Sequence, residues 1–151
     1  MIPLIIACGS RKEEAVATPV IDKEQVKKDI QDKENQFAEL YNTQQLKSIG
    51  YYADDAISFS QNKEPLVGKP AIVEYMRVGL ENSSIGNRIT FTTKEVFVSN
   101  DGNQVVELGY YHLADSTNVP INTGNYMVLF EKRAGDYVVV RDMSASDMPL
   151  K

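Results

Sequence analysis

The chain is poor in the residues that build disulfide and metal frameworks. Its 151 residues include one cysteine, Cys8, one histidine, His112, and no tryptophan. A lone cysteine excludes an intrachain disulfide, and with a single histidine beside it the usual Cys/His sets of a structural zinc cannot be assembled. Basic excess is also missing: 16 Lys and Arg stand against 21 Asp and Glu, for a net charge of −5. The basic residues are interspersed with acids, as in Lys23-Glu24 and Glu131-Lys132-Arg133. A nucleic-acid backbone is therefore not an expected partner, because phosphate binding needs a basic stripe. No apolar run approaches the roughly 20 residues that cross a bilayer. Repeats, low-complexity tracts, Gly-rich phosphate loops, dinucleotide fingerprints and nucleophile motifs are absent, so no cofactor or metal is expected. What is present is an ordinary globular composition, 42% hydrophobic and 25% charged, on a length suited to one domain.

Met1-Ile2-Pro3-Leu4-Ile5-Ile6-Ala7-Cys8 is short and apolar and ends in a small residue before cysteine. It resembles the lipobox of bacterial lipoproteins, in which Ala7 fits the peptidase subsite and the Cys8 thiol takes the lipid. A signal peptide carries a basic n-region and a longer apolar core. No Lys or Arg precedes Cys8, so the true signal is expected to begin upstream of Met1. The other reading is a tail with an ordinary cysteine. From Gly9 to Ile21 the residues are small, charged or turn-forming, a composition that cannot offset the entropy of ordering. The expected organisation is thus a truncated lipoprotein signal and flexible tether over 1–21 and one folded domain over 22–151. A lipidated Cys8 implies a membrane-anchored protein of the bacterial cell envelope, facing periplasm or cell surface.

Within the domain, Asp22 to Tyr41 reads as a helix. Asp22 precedes Gln25 in a capping-box pattern, and Val26, Ile30, Phe37 and Leu40 recur near the helical period. A shorter helix is expected over Thr43–Tyr52, with Leu46 and Ile49 inward and Asp54 and Asp55 capping the turn after it. A third starts at Pro70 and buries Ile72, Tyr75, Met76 and Leu80. Everything after Asn87 is strand-like. Asn100-Asp101-Gly102-Asn103 and Arg133-Ala134-Gly135-Asp136 mark two hairpins. Helices first and long strands afterwards give an α+β class with the helices on one face of the sheet.

Register follows from the loops, since opposed residues share a face. The first hairpin is expected to pair Phe97 with Val106, Glu95 with Leu108, Thr93 with Tyr110 and Phe91 with His112, all on the helix-facing side. Glu107 and Tyr111 fall on the other, more polar side. In the second hairpin Met127, Leu129, Val138, Val140 and Asp142 share one face, and Tyr126, Val128, Phe130, Tyr137, Val139 and Arg141 the other. Both are apolar, so both should be covered, and a homodimer through Val128, Tyr137 and Val139 is expected.

Tyr51-Tyr52-Ala53-Asp54-Asp55-Ala56 followed by Gly68-Lys69-Pro70-Ala71-Ile72 resembles the signature of the SnoaL-like and steroid-isomerase-like branch of the nuclear transport factor 2-like superfamily. Gly124-Asn125-Tyr126, Gly135-Asp136-Tyr137 and the run Arg141-Asp142-Met143-Ser144-Ala145-Ser146-Asp147 agree with its closing pattern. Tyr137 and Ser144 stand where tryptophan is common. The resemblance implies a cone-shaped, curved antiparallel sheet packed on three N-terminal helices, a pocket at the open end, and often a dimer. It does not imply one chemistry, because members isomerise, cyclise, dehydrate, assemble or bind.

Carried over residue by residue, the steroid-isomerase base falls near Ser60, which has no useful basicity at neutral pH. The oxyanion tyrosine falls near Gln36 or Phe37, and the oxyanion aspartate near Met127. That catalytic set is not present. The expected function is a lipid-anchored binding or accessory domain without catalysis, taking a small apolar ligand with a polar end at Phe91, Tyr110, His112, Asp142 and Ser60. One alternative is a small isomerase, cyclase or dehydratase in which His112 and Asp142 form the general base. Another is a structural homodimer whose pocket is filled by Phe91, Leu108 and Leu129.

Overall fold

The computed structural model describes residues 20–149; Cys8 and the tether up to residue 19 lie outside them. Helix α1 (Lys23–Asn42) begins where the Asp22 carboxylate accepts from the backbone N–H groups of Glu24 and Gln25, both at 3.1 Å, satisfying donors that the first turn leaves unpaired. Its buried stripe is Val26, Ile30, Glu34 and Phe37, spaced four, four and three residues apart, the period that keeps one face on a sheet. Burying Ile30 or Phe37 contributes about 1.5–3 kcal/mol each.

Only a single 3-10 turn, Leu46–Ser48, follows where a second helix was expected. Gln44 takes a left-handed backbone (φ 59°) directly after the helix, and the Tyr51-Tyr52 pair is drawn into strand β1 (Tyr52–Ser60). Asp54 and Asp55 accordingly lie within a strand and not at a helix end. Two-residue β2 (Leu66–Val67) leads into α2 (Lys69–Glu81), with Pro70 in its first turn. Ile72 is its buried anchor, while Tyr75 stays 39% exposed.

The rest is strand: β3 (Arg88–Val98), β4 (Gln104–Ala114), β5 (Pro120–Arg133) and β6 (Asp136–Ser146). Among the described residues these form one six-stranded sheet in the order β2-β1-β6-β5-β4-β3. Every pairing is antiparallel except β1 with β6. The sheet is curled but not closed, and among the described residues two α-helices, not three, accompany it. Helix α1 lies along β3, held by paired amide contacts. Gln31 donates to the Phe91 carbonyl and accepts from the Thr93 N–H, and Asn42 does the same at both backbone groups of Ile89.

Two bulges decide which side chains face the helix. In β3 the pairing runs Phe97 to Val106 and Glu95 to Leu108 as expected, then slips, so that Thr93 meets Gly109 and Phe91 meets Tyr111. Lys94 is the extra residue. The helix-facing side of β4 is the one carrying Val105, Glu107 and Gly109, all buried, whereas Tyr110 is 50% exposed and His112 is exposed. The expected inward face was therefore the outer one. The reason is compositional: the outer face, with Val106, Leu108 and Tyr110, is the more apolar, while the inner face includes a glutamate.

In the second hairpin a two-residue turn, Ala134-Gly135, with both residues at positive φ, joins Arg133 to Asp136. Val140 is the extra residue of the second bulge. Below it Leu129 meets Arg141 and Val128 meets Asp142. Tyr126, Val128, Phe130, Tyr137 and Val139 are core, so the dimer contact expected through Val128, Tyr137 and Val139 is not available. The bulge brings Asp142 onto the same inner side as Val128, away from Met127, which is 44% exposed outside.

Candidate functional site

The inner surface changes character along the strands. At one end Val105, Phe130 and Val139 align across three strands and close against Val26 and Ile30. Toward the other end of the strands, β1 and α2 stand off from β3 and β4 and leave a recess of about 230 Å³. Its wall is largely aromatic, with Phe37, Tyr41, Tyr51, Tyr52, Phe91 and Tyr126 among its members, and aliphatic residues such as Leu66 and Ile72 complete it. Among the described residues two carboxyl groups, Glu34 and Asp142, reach this lining, and no Lys, Arg or His does.

Glycine makes room for the tyrosines. A Cβ on Gly109 would fall 2.3 Å from the Tyr126 ring and 2.7 Å from the Thr92 carbonyl oxygen, so only glycine lets that ring cross β4. Gly124 in the same way leaves space for Tyr111. Laid over Gly109, the Tyr126 hydroxyl donates to Glu107 Oε1 at 2.8 Å, and Thr93 Oγ1 donates to the same oxygen at 2.6 Å. Glu107 is fully buried and faces Glu34, which is 1% exposed. Tyr51 donates a short hydrogen bond to Glu34 Oε1. Burial pushes the Glu34 carboxyl well above the usual carboxylate range, and repulsion from Glu107 pushes it further. Glu107 is raised by burial too, against the pull of its hydroxyl donors. Two facing buried carboxyls with no cation between them cannot both ionise at modest cost, so the pair retains a proton.

Asp142 is the second polar centre. The Tyr52 hydroxyl donates to its Oδ2 at 2.8 Å, and Ser58 is its neighbour across the parallel β1–β6 pairing. Burial raises the Asp142 carboxyl, while the nearby Ser58 and Tyr52 hydroxyls act in the other direction. Its Oδ1 is buried without a hydrogen-bond partner. Tyr51, Tyr52 and Tyr126 are held protonated by burial and by the neighbouring carboxyls, so they serve as donors. The arrangement can accept a hydrogen bond or a proton at Asp142, or hold a positive charge there. Among the described residues no group of three His, Cys, Asp or Glu side chains is placed to hold a metal ion.

The structure brings together only two of the residues singled out from sequence, Phe91 and Asp142, which both line the recess. Tyr110 and His112 lie on the outer face, so His112 and Asp142 stand on opposite sides of the sheet and form no pair. Ser60 pairs with Ser144 at the end of β1 and borders a separate shallow depression with Gln61 and Asn62. Strand alternation gives the recess Ser58 instead. Of the filling residues expected, Leu108 and Leu129 turn outward. Cys8 lies outside the described residues.

No family model matches the sequence, and none of the curated proteins does. Solved structures do match. An NTF-2-like protein of unknown function from Shewanella oneidensis MR-1 is 24% identical, with a TM-score of 0.64 over 78% of this chain and 96% of that one. A ketosteroid isomerase-like protein from Erwinia carotovora atroseptica is 17% identical, with a TM-score of 0.64 over 81% and 96%. A protein with a cystatin-like fold from Nostoc punctiforme is 12% identical, with a TM-score of 0.69 over 82% and 92%. The fold is that of the nuclear transport factor 2-like proteins. At such identities the likeness covers the path of the chain and not the chemistry.

Within this nuclear transport factor 2-like frame, sequence reasoning missed Glu34, Tyr52, Tyr126 and Glu107. A signal existed for the acids. Glu34 stands four residues after Ile30 and three before Phe37, in the middle of the apolar stripe, and Glu107 stands two residues after Val105 on a buried strand face. A carboxyl at a core position is the informative observation in such a pattern.

Proposed function

We propose that the recess binds a compact, mostly apolar small molecule whose polar end meets Asp142 and Tyr52. One observation carries this reading: Asp142 Oδ1 is buried at the recess with no hydrogen-bond partner. A buried polar atom left unpaired costs about 1–3 kcal/mol, a cost that a ligand donor removes on binding. The surrounding aromatic wall supplies the apolar complement, and about 230 Å³ lies below the usual 300–1,000 Å³ of drug-sized sites. A thermal-shift panel of small ring compounds with one polar group tests it. Hits are expected for the wild type, and Asp142→Asn should weaken them by about 1–3 kcal/mol. A panel that shifts neither protein would refute the reading.

Proton-transfer chemistry of the isomerase, cyclase or dehydratase type is the second reading. What favours it is the raised carboxyl of Asp142, since a base works best with its pKa near the working pH. Product analysis of every hit separates the two: conversion lost in Asp142→Asn would make the protein an enzyme.

The lipobox-like Leu4-Ile5-Ile6-Ala7-Cys8 supports a lipid-anchored domain of the bacterial envelope. Metabolic lipid labelling in a bacterial host should mark the wild type and not Cys8→Ser. A homodimer is also part of this reading, now through the outer face, where Val106, Leu108, Met127 and Met143 leave apolar surface uncovered. Sedimentation should show a dimer for the tail-less domain and a monomer for Met127→Asp.

A further inference from the structure

Resting on the recess as a binding site, we infer that its ligand is an organic amine, a cationic nitrogen on a compact apolar body, with the ammonium group against Asp142. Charge balance is the first argument. Among the described residues the recess lining contains Glu34 and Asp142 and no cationic side chain. The cations that form ion pairs among the described residues, Lys33, Arg77 and Arg133, make them with Asp136, Glu74, Glu81, Asp55 and Glu131, outside the recess. A carboxylate taken from water without a counter-charge is strained, and a ligand is the partner able to supply one.

The second argument is the state of Asp142. One of its oxygens already accepts from the Tyr52 hydroxyl at 2.8 Å, and Ser58 lies beside the group. Burial raises this carboxyl and the two hydroxyls hold the rise back, so an ammonium brought against it is what favours the charged form. The free Oδ1 then offers a charge-assisted acceptor, which binds an ammonium about twice as strongly as a neutral donor.

The third argument is the wall. Phe91, Tyr41 and Tyr111 line the same recess, and a cation brought near an aromatic face gains about 0.5–2 kcal/mol when desolvated. An anionic ligand would meet two carboxyls and no cation. A neutral alcohol would satisfy Oδ1 but leave the charge unbalanced.

Calorimetric titration of the full chain with 2-phenylethylamine, 2-phenylethanol and 3-phenylpropanoate decides the matter. The amine should bind about tenfold or more tightly than the alcohol, and the carboxylate should give no heat. Asp142→Asn should weaken the amine about tenfold more than it weakens the alcohol, bringing the two to one level, and Asp142→Glu should keep the preference for the amine. An alcohol that binds as well as the amine, any binding of the carboxylate, or an amine affinity unchanged in a folded Asp142→Asn would overturn the amine assignment while leaving recess binding intact. If none of the three binds while other neutral ring compounds do, the amine assignment alone falls. If no compound of any charge binds, both fall. The wild-type ratio of amine to alcohol affinity stays decisive even where a variant fails to fold.

Discussion

The two ends of the sheet's inner surface are built from the same strands and could hardly differ more. At one end Val105, Phe130 and Val139 are each fully buried and pack on Val26 and Ile30 of α1. The Tyr137 hydroxyl there is satisfied by the Gly102 carbonyl at 2.6 Å. At the other end Glu34, Glu107 and Asp142 are withdrawn from water among tyrosines, with Asp142 Oδ1 left without a hydrogen-bond partner among the described residues. The first end supplies hydrophobic stabilisation, and the second consumes some of it. Buried groups kept at such a cost cluster at functional sites, so the contrast marks the polar end as the candidate site.

The largest expected effect tests the dry end. Phe130→Ala removes a fully buried ring that stacks edge-on against Tyr51 at 5.8 Å between centroids. Unfolding in denaturant should show a loss of about 3–5 kcal/mol. A loss below about 1 kcal/mol would mean that the dry end does not carry the stability assigned to it.

A middle-sized effect, of the opposite sign, tests the polar end. Glu34 is raised well above 4.5, so the folded chain holds a proton that the unfolded chain has released once the pH passes 4.5. Where the native state binds more protons, stability falls as pH rises. The contribution is therefore harmless below the ordinary carboxylate range and destabilising as pH climbs through the folded pKa. Glu34→Gln should flatten that decline, because its amide copies the protonated acid, donating toward Glu107 and accepting from Tyr51. At mildly alkaline pH the variant should be more stable by about 1–3 kcal/mol, the scale of one mispaired buried polar group. Equal pH profiles for the two proteins would show that the pair carries no shared proton.

Much of the fold was legible because its signals are local. The Asp22 cap, the first helix, the third helix at Pro70 and both hairpin turns follow from side-chain chemistry within a few residues. The Tyr51-Tyr52 segment failed because a helical spacing of Leu46 and Ile49 is too short to outweigh tertiary pairing with β6, where the Val139 N–H donates to the Tyr51 carbonyl at 2.8 Å. The site failed for a different reason. One bulge at Lys94 and one at Val140 each shift a face by a residue, and period-two reasoning has no means of counting a residue that pairs with nothing. Asp142 was legible as a motif residue, yet its side of the sheet was set by Val140. Glu107 reads as outward because it shares the more polar of the two strand faces, yet inside the fold Tyr126 and Thr93 satisfy it.

The smallest expected effect sharpens the comparison by applying the same kind of substitution to the outer face. His112 is the most obvious catalytic candidate in the sequence and stands on β4 opposite Thr90 and Thr123, exposed, with the sheet between it and the recess. Sequence reasoning expects His112→Ala to cost one hydrogen bond to ligand, about 1 kcal/mol. The structure expects none, and a stability change within about 0.5 kcal/mol, as for other surface positions. Tyr110→Phe, two residues earlier and also outside, should behave alike. Titration of both variants beside Asp142→Asn with any compound that binds the wild type gives the comparison directly. If His112→Ala weakens binding as much as Asp142→Asn does, the ligand sits on the outer face, and the contrast between the two ends of the inner surface says nothing about function.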